Sequence, residues 1–195
     1  MISRIESEFA KILSRFPNLK SKVKYLYLLL NSFFYQKNFY KTFNADLNKV
    51  SNSVLNTFFG YHDKSPESSD GTHTIFLAAK DTIDSPSSVV SVKVFLRNNI
   101  DNSELLCFET LAYNWQQGSR LMWLNNSKFI FNSFNNEKNI LESIIYNIKT
   151  HKMININYPV YDCFKDNFAI SLDFTDISNT NKEYSYTNII SHNNY

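Results

Sequence analysis

Three stretches of this 195-residue chain open the same way, with turn-forming residues that lead straight into an apolar strand pattern. Asp70-Gly71 precedes Thr72-His73-Thr74-Ile75-Phe76-Leu77-Ala78-Ala79, Asn126-Ser127 precedes Lys128-Phe129-Ile130-Phe131-Asn132, and Asp166-Asn167 precedes Phe168-Ala169-Ile170-Ser171-Leu172-Asp173-Phe174. Two further strand-like runs follow the first, at 89–97 and 104–111, joined by the turn-prone segment 98–102. Two also follow the second, at 143–148 and 152–158, joined by Lys149-Thr150-His151. Spacings of about 55 and then about 40 residues are those of four-stranded propeller blades. A sandwich of unrelated hairpins is the other architecture the pattern admits.

The expected fold is therefore mostly β, an incomplete β-propeller-like array of antiparallel sheets over residues 44–195. It holds about two and a half blades, because the third unit stops soon after its first strand, at Tyr184-Ser185-Tyr186 and a polar tail. Closure of a propeller takes at least about four blades. An open stack leaves strand edges unpaired and one apolar face half covered. A partner chain or an oligomer completing the β-array is expected, or else the chain is a truncated remnant. With only three glycines, asparagine stands at the turn positions, where it tolerates left-handed backbone better than other side chains.

Residues 1–43 read differently, as a basic amphipathic helical arm. Ile5, Phe9, Ile12, Leu13 and Phe16 recur at helical spacing, and Pro17 ends that helix. Asn18 can cap a second helix, in which Leu19, Val23, Leu26, Leu30 and Phe33 continue the stripe beside Lys20, Lys22 and Lys24. Residues 1–41 carry eight Lys or Arg against two Glu, leaving twelve basic and sixteen acidic residues in the remainder. Such a helix suits a membrane surface or packing on the chain's own domain or another subunit. The longest apolar run, 25–35, is interrupted at Asn31-Ser32 and is about half the span a membrane requires. No secretory signal is legible, so a cytoplasmic protein is expected, peripheral at the membrane through residues 1–41. Cys107 and Cys163 sit in apolar contexts as buried free thiols.

Residues 113–124 (Tyr-Asn-Trp-Gln-Gln-Gly-Ser-Arg-Leu-Met-Trp-Leu) contain both tryptophans and one of the three glycines. Flat rings beside amides and a guanidinium can stack on a sugar ring and hydrogen-bond its rim, so Asn114, Trp115, Gln116, Gln117, Arg120 and Trp123 are candidate ligand-binding residues. A turn between two strands with tryptophans in the core is the structural alternative. Tyr61-His62-Asp63-Lys64, after Gly60, brings an imidazole, a carboxylate and an ammonium together. His62 and Asp63 are the candidate acid/base pair, with Tyr61 and Lys64 as a neighbouring binding wall. On a strand, His62 and Lys64 would share one face and Asp63 would point away; otherwise Asp63 serves a turn.

Phe58-Phe59-Gly60-Tyr61-His62-Asp63-Lys64-Ser65-Pro66, Asp70-Gly71, residues 113–124, Pro159-Val160-Tyr161 and Ala169-Ile170-Ser171-Leu172-Asp173-Phe174 occur in an order that resembles a group of bacterial β-propeller proteins, TolB-like or WD-repeat-like, encoded among capsule and other surface-polysaccharide biosynthesis genes. The resemblance covers roughly residues 55–186, and the basic arm is similar to that group's N-terminus. It implies a pathway rather than a reaction. The chain departs from the pattern at 163–167, where Ser-Pro-Asp-Gly would stand, at Glu67 and at Glu183-Tyr184-Ser185-Tyr186, and later blades are absent.

No phosphate loop, dinucleotide fingerprint or nucleophile elbow occurs. His62, His73, His151 and His192 lack metal-ligand spacing, so neither metal nor cofactor is expected. Nucleic acid is not an expected partner, since the basic residues gather beside a leucine run. The expected function is glycan binding, of an oligosaccharide or polysaccharide precursor, as an accessory protein of surface-polysaccharide biosynthesis. A lyase, hydrolase or glycosyltransferase using His62 or Asp63 is the enzymatic alternative.

Overall fold

The chain divides into two compact units, Met1–Leu47 and Asn48–Tyr195. A computed structural model describes residues 22–23, 25–27, 29–30, 50–51, 55–80, 86, 89–181, 184–186 and 189. In the first unit the described residues are helical, as the spacing of Val23, Leu26 and Leu30 predicts. The expected first helix, its Pro17 terminator and the Asn18 cap lie outside the described residues, as do Leu19, Lys20, Lys24 and Phe33. No helix among the described residues is long and apolar enough to cross a membrane.

The second unit is mostly β. One four-stranded antiparallel sheet runs β1 (Asn56–Phe58), β2 (His73–Ala79), β3 (Val92–Asn98) and β4 (Glu104–Thr110), each strand pairing with its sequence neighbour. A second repeats that order with β5 (Met122–Asn125), β6 (Lys128–Asn135), β7 (Ile140–Asn147) and β8 (Lys152–Ile156). A hairpin of β9 (Asp162–Phe164) and β10 (Phe168–Ile170) forms a third, two-stranded sheet. None of the three is closed.

Period-two alternation decides the packing. Ile75, Leu77, Val92, Val94 and Leu96 project from one face of the first sheet into a core shared with Phe129, Phe131, Ile144 and Tyr146 of the second. The opposite face of the second sheet contributes Met122, Leu124 and Ile130, which cluster with Val160 and Cys163 at the hairpin. Residues 75–79 of β2 and 129–131 of β6 are apolar without a break because both faces of these stretches are covered. A third cluster, Ala112, Phe174, Tyr186 and Ile189, packs the C-terminal segment onto the domain.

The turns are built as the composition anticipates. Asp70 accepts hydrogen bonds from Ser68 Oγ (2.7 Å), Thr72 Oγ1 (2.8 Å) and Thr72 N (3.1 Å), which hold its carboxyl down at about 2. Asn102 and Asn139 take left-handed φ values of 60° and 54°; His151 and Lys165 do the same at 54° and 53°. Cys107 and Cys163 are free and half-buried, and burial pushes both thiols up to about 11.

Two differences from the sequence reading stand out. The run expected to stay extended to Phe174 ends as a strand at Ile170, and a helix occupies Phe174–Thr180. Asp173 causes the switch: its Oδ1 accepts from Thr175 N (2.8 Å) and Asp176 N (3.3 Å), capping the helix. Tyr184-Ser185-Tyr186, expected only as the place where the third unit stops, docks on the domain, with Ser185 and Tyr186 at 1% and 0% exposure, and the polar tail after it lies largely outside the described residues.

Candidate functional site

The run 113–124 folds into a loop fastened at both ends. Asn114 and Gly118 exchange backbone hydrogen bonds (Asn114 N to Gly118 O, 3.2 Å; Gly118 N to Asn114 O, 3.0 Å). Asn114 Oδ1 accepts from the amides of Gln116 (3.1 Å) and Gln117 (2.8 Å), a side-chain-closed turn of the kind asparagine favours. Ser119 O then accepts from Asn132 N at 2.7 Å, which joins the loop to β6.

The glycines explain how the preceding strand reaches the loop. A Cβ on Gly60 would stand 2.7 Å from both the carbonyl carbon and oxygen of Gln117, and one on Gly118 would meet Phe59 O and Leu77 Cδ1 at 2.7 Å. Backbone therefore passes directly over backbone, and the segment carrying Tyr61 is set against the loop carrying Gln116. Trp115 is half-buried, edge-on to Phe58 (5.3 Å between ring centroids) and to Tyr113 (5.2 Å).

Most of the polar groups in the run are committed to the chain itself. Asn114 Nδ2 donates to Ser185 O (3.1 Å), Gln117 Nε2 to Tyr184 O, and Gln116 Nε2 to Tyr184 Oη (3.0 Å). Three amides thus hold a segment about seventy residues further on, each bond contributing on the order of 1 kcal/mol. Arg120, buried and at φ 53°, donates through Nε (2.7 Å) and Nη2 to Tyr161 O and through Nη1 to Gln117 Oε1 (3.4 Å). Its guanidinium carbon lies 4.3 Å from the centre of the Tyr161 ring. Trp123 donates from Nε1 to Pro66 O (2.9 Å) and packs edge-on to Phe129 (5.6 Å). Asn114 and Gln117 are joints to the C-terminal segment, Arg120 is a joint to the segment before β9, and Trp123 to the segment before β2.

Residues 62–64 form a turn and bend rather than a strand, so the alternating-face arrangement does not arise. Lys64 Nζ instead bridges Asp162 (2.8 Å) and Asp63 (3.4 Å). Burial is the largest single influence and would lower the Lys64 ammonium, but the bonds and charges of Asp162 and Asp63 together outweigh it and hold the group above its usual value. Burial likewise opposes the Asp162 carboxylate most strongly, and the Lys64 bond, the Cys163 amide and the charges of Lys64 and Arg120 together hold it below its usual value. His62 and Asp63 are exposed, and the Tyr61 and His62 rings lie 4.5 Å apart. Tyr61 also faces the Tyr184 ring at 6.3 Å, and that neighbour raises its phenol above the ordinary value.

The two sequence candidates do converge. Phe59, Tyr61, Asp63 and Lys64 share a void with Gln117 and Arg120, but its volume is only about 10 Å³. That is room for about one water and none for a sugar ring. Beside the void stands an outer lip of Tyr61, His62, Gln116 and Tyr184. Among the described residues no three His, Cys, Asp or Glu side chains gather as a metal site.

Sequence reasoning did not anticipate Tyr161, Asp162, Tyr184 and Ser185 as members of this cluster. Their signal was present: Pro159-Val160-Tyr161 and Tyr184-Ser185-Tyr186 are pieces of the motif series without an evident strand role. No protein-family model, curated protein or solved structure matches the chain.

Proposed function

We propose that this chain is a glycan-binding accessory protein of bacterial surface-polysaccharide assembly, a binder rather than a catalyst. The observation that carries the reading is the lip formed by Tyr61, His62, Gln116 and Tyr184. Its rings and amide stand on backbone that the glycine contacts and the bonds of Asn114 and Gln117 hold in place. A preorganised aromatic edge with one amide is the means by which proteins hold the apolar face and hydroxyl rim of a sugar at low entropic cost. Lys64 and Arg120 balance Asp63 and Asp162 in that cluster, so it carries no net charge, which suits uncharged sugars better than acidic ones.

The motif series shared with capsule-cluster propeller proteins supports the pathway. In this reading the two four-stranded meanders and the hairpin are successive blades of an incomplete propeller in the cytoplasm, with residues 1–41 resting on the membrane surface. A partner chain or second copy completes the array over the hairpin, where Phe164, Phe168 and Ile170 are each more than half exposed.

Tryptophan fluorescence tests the lip directly, since Trp115 adjoins Gln116 in the loop. Titration with neutral and amino-sugar oligosaccharides is expected to give a saturable change. Tyr61→Ala is expected to weaken it about tenfold, the value of one ring stack, while His62→Ala still binds. Absence of a response across neutral, amino and acidic glycans removes the proposal.

A further inference from the structure

A second concavity lies away from this lip. An open cleft of about 640 Å³ separates the β6–β7 turn from the start of the helix Phe174–Thr180, within the range of about 300–1,000 Å³ typical of small-molecule sites. Leu141 and Phe174 give it an apolar floor. Its rim carries Asn139, Asn157, Tyr158 and Asp173.

The rim differs from the loop 114–120 in one decisive respect. There the amides of Asn114 and Gln117 are spent on backbone carbonyls and that of Gln116 on the Tyr184 hydroxyl. Here the side chains of Asn139, Asn157 and Tyr158 make no hydrogen bond among the described residues, and Asp173 uses only Oδ1 for its helix cap. The Tyr158 ring is 70% exposed. Among the described residues no Lys, Arg or His lines the cleft, so none of them would neutralise a phosphate, sulfate or uronate. Two amides supply both donors and acceptors, the carboxylate supplies acceptors, and the flat ring supplies a stacking face. Vicinal hydroxyls on an uncharged ring are the ligand chemistry that uses all of these together.

We propose that this cleft is a second saccharide site, selective for neutral glycans, with Tyr158 as the stacking platform and Asn139 and Asn157 as hydroxyl-reading groups. It deepens the glycan-binding reading and rests on it. The test is isothermal titration of the full chain with maltotriose, cellotriose, chitotriose and trigalacturonic acid, repeated on Tyr158→Ala, Asn139→Gly and Tyr61→Ala. Asn139→Gly removes the amide while keeping a residue that accepts the left-handed φ of 54°.

A neutral trisaccharide is expected to bind and trigalacturonic acid to bind at least tenfold more weakly. Tyr158→Ala and Asn139→Gly should each weaken the cleft's affinity about tenfold without shifting the unfolding midpoint, while Tyr61→Ala leaves it unchanged. Binding that Tyr61→Ala abolishes and Tyr158→Ala leaves intact overturns the cleft and keeps the lip. Preference for trigalacturonic acid also overturns it, and no heat with any of the four sugars overturns both.

Discussion

Asn132→Leu is expected to destabilise the folded chain by about 4 kcal/mol, read as a lowered urea midpoint at unchanged slope. Asn132 lies mid-strand in β6 with no exposure, and its amide is fully used. Nδ2 donates to Val160 O and to Tyr186 Oη, each at 2.8 Å, while Oδ1 accepts from Val160 N (2.7 Å) and Ser143 Oγ (3.1 Å). Leucine has the same branched skeleton but is larger, so no cavity forms and a modest overpacking cost is added. What remains are the amide and carbonyl of Val160 and the hydroxyl of Tyr186, buried without partners. Each orphaned group costs roughly 1–3 kcal/mol, partly offset by the apolar gain of leucine. Ser143 is spared, because its Oγ also donates to Tyr158 O at 2.7 Å. Tyr186→Phe removes one bond and orphans one donor, so a loss of about 1 kcal/mol is expected. If Asn132→Leu came within about 1 kcal/mol of the parent, the network would not be what fastens the C-terminal segment to the second sheet.

Gly60→Ala is the second large expected effect, about 3 kcal/mol or more, accompanied by loss of the sugar binding proposed for the Tyr61 lip. Two independent costs add there. The φ of 129° is a region that side-chain-bearing residues rarely adopt, worth on the order of 1–3 kcal/mol. The added methyl would also sit 2.7 Å from the backbone carbon and oxygen of Gln117, atoms that cannot swing aside as a flexible side chain could. Gly71→Ala is the internal control: its φ is 73°, and the nearest atom is the mobile Glu67 Oε1 at 3.4 Å, so about 1 kcal/mol is expected. Thermal unfolding of the two variants side by side separates backbone contact from backbone conformation. Equal losses would mean that the Gly60 approach is not a tight one.

The strands that carry long apolar runs were legible in the sequence because burial on both faces writes itself as an unbroken stretch, as in 75–79 and 129–131. Strands β1, β5 and β9 were not, since three or four residues carry too little periodicity and become strands only by pairing with a longer neighbour. Phe168, Ile170, Leu172 and Phe174 alternate as a strand would, and only the capping bonds of Asp173 turn that alternation into a hairpin followed by a helix. The run 113–124 announced itself by composition, yet its amides find their acceptors at Tyr184 and Ser185, about seventy residues away. A linear pattern cannot say whether an amide faces a sugar or a distant carbonyl. The cleft was silent for the same reason, as Asn139, the pair Asn157-Tyr158 and Asp173 come from three separate connections that only the fold brings to one rim.

Calorimetric titration of the intact chain with neutral, amino and acidic oligosaccharides, followed by chromatographic analysis of the same mixtures, addresses the central claim. The account predicts saturable heat with neutral or amino sugars and every oligosaccharide recovered at its starting length. Cleaved or extended products that vanish in His62→Ala or Asp63→Ala would contradict it, and so would an absence of heat with every glycan.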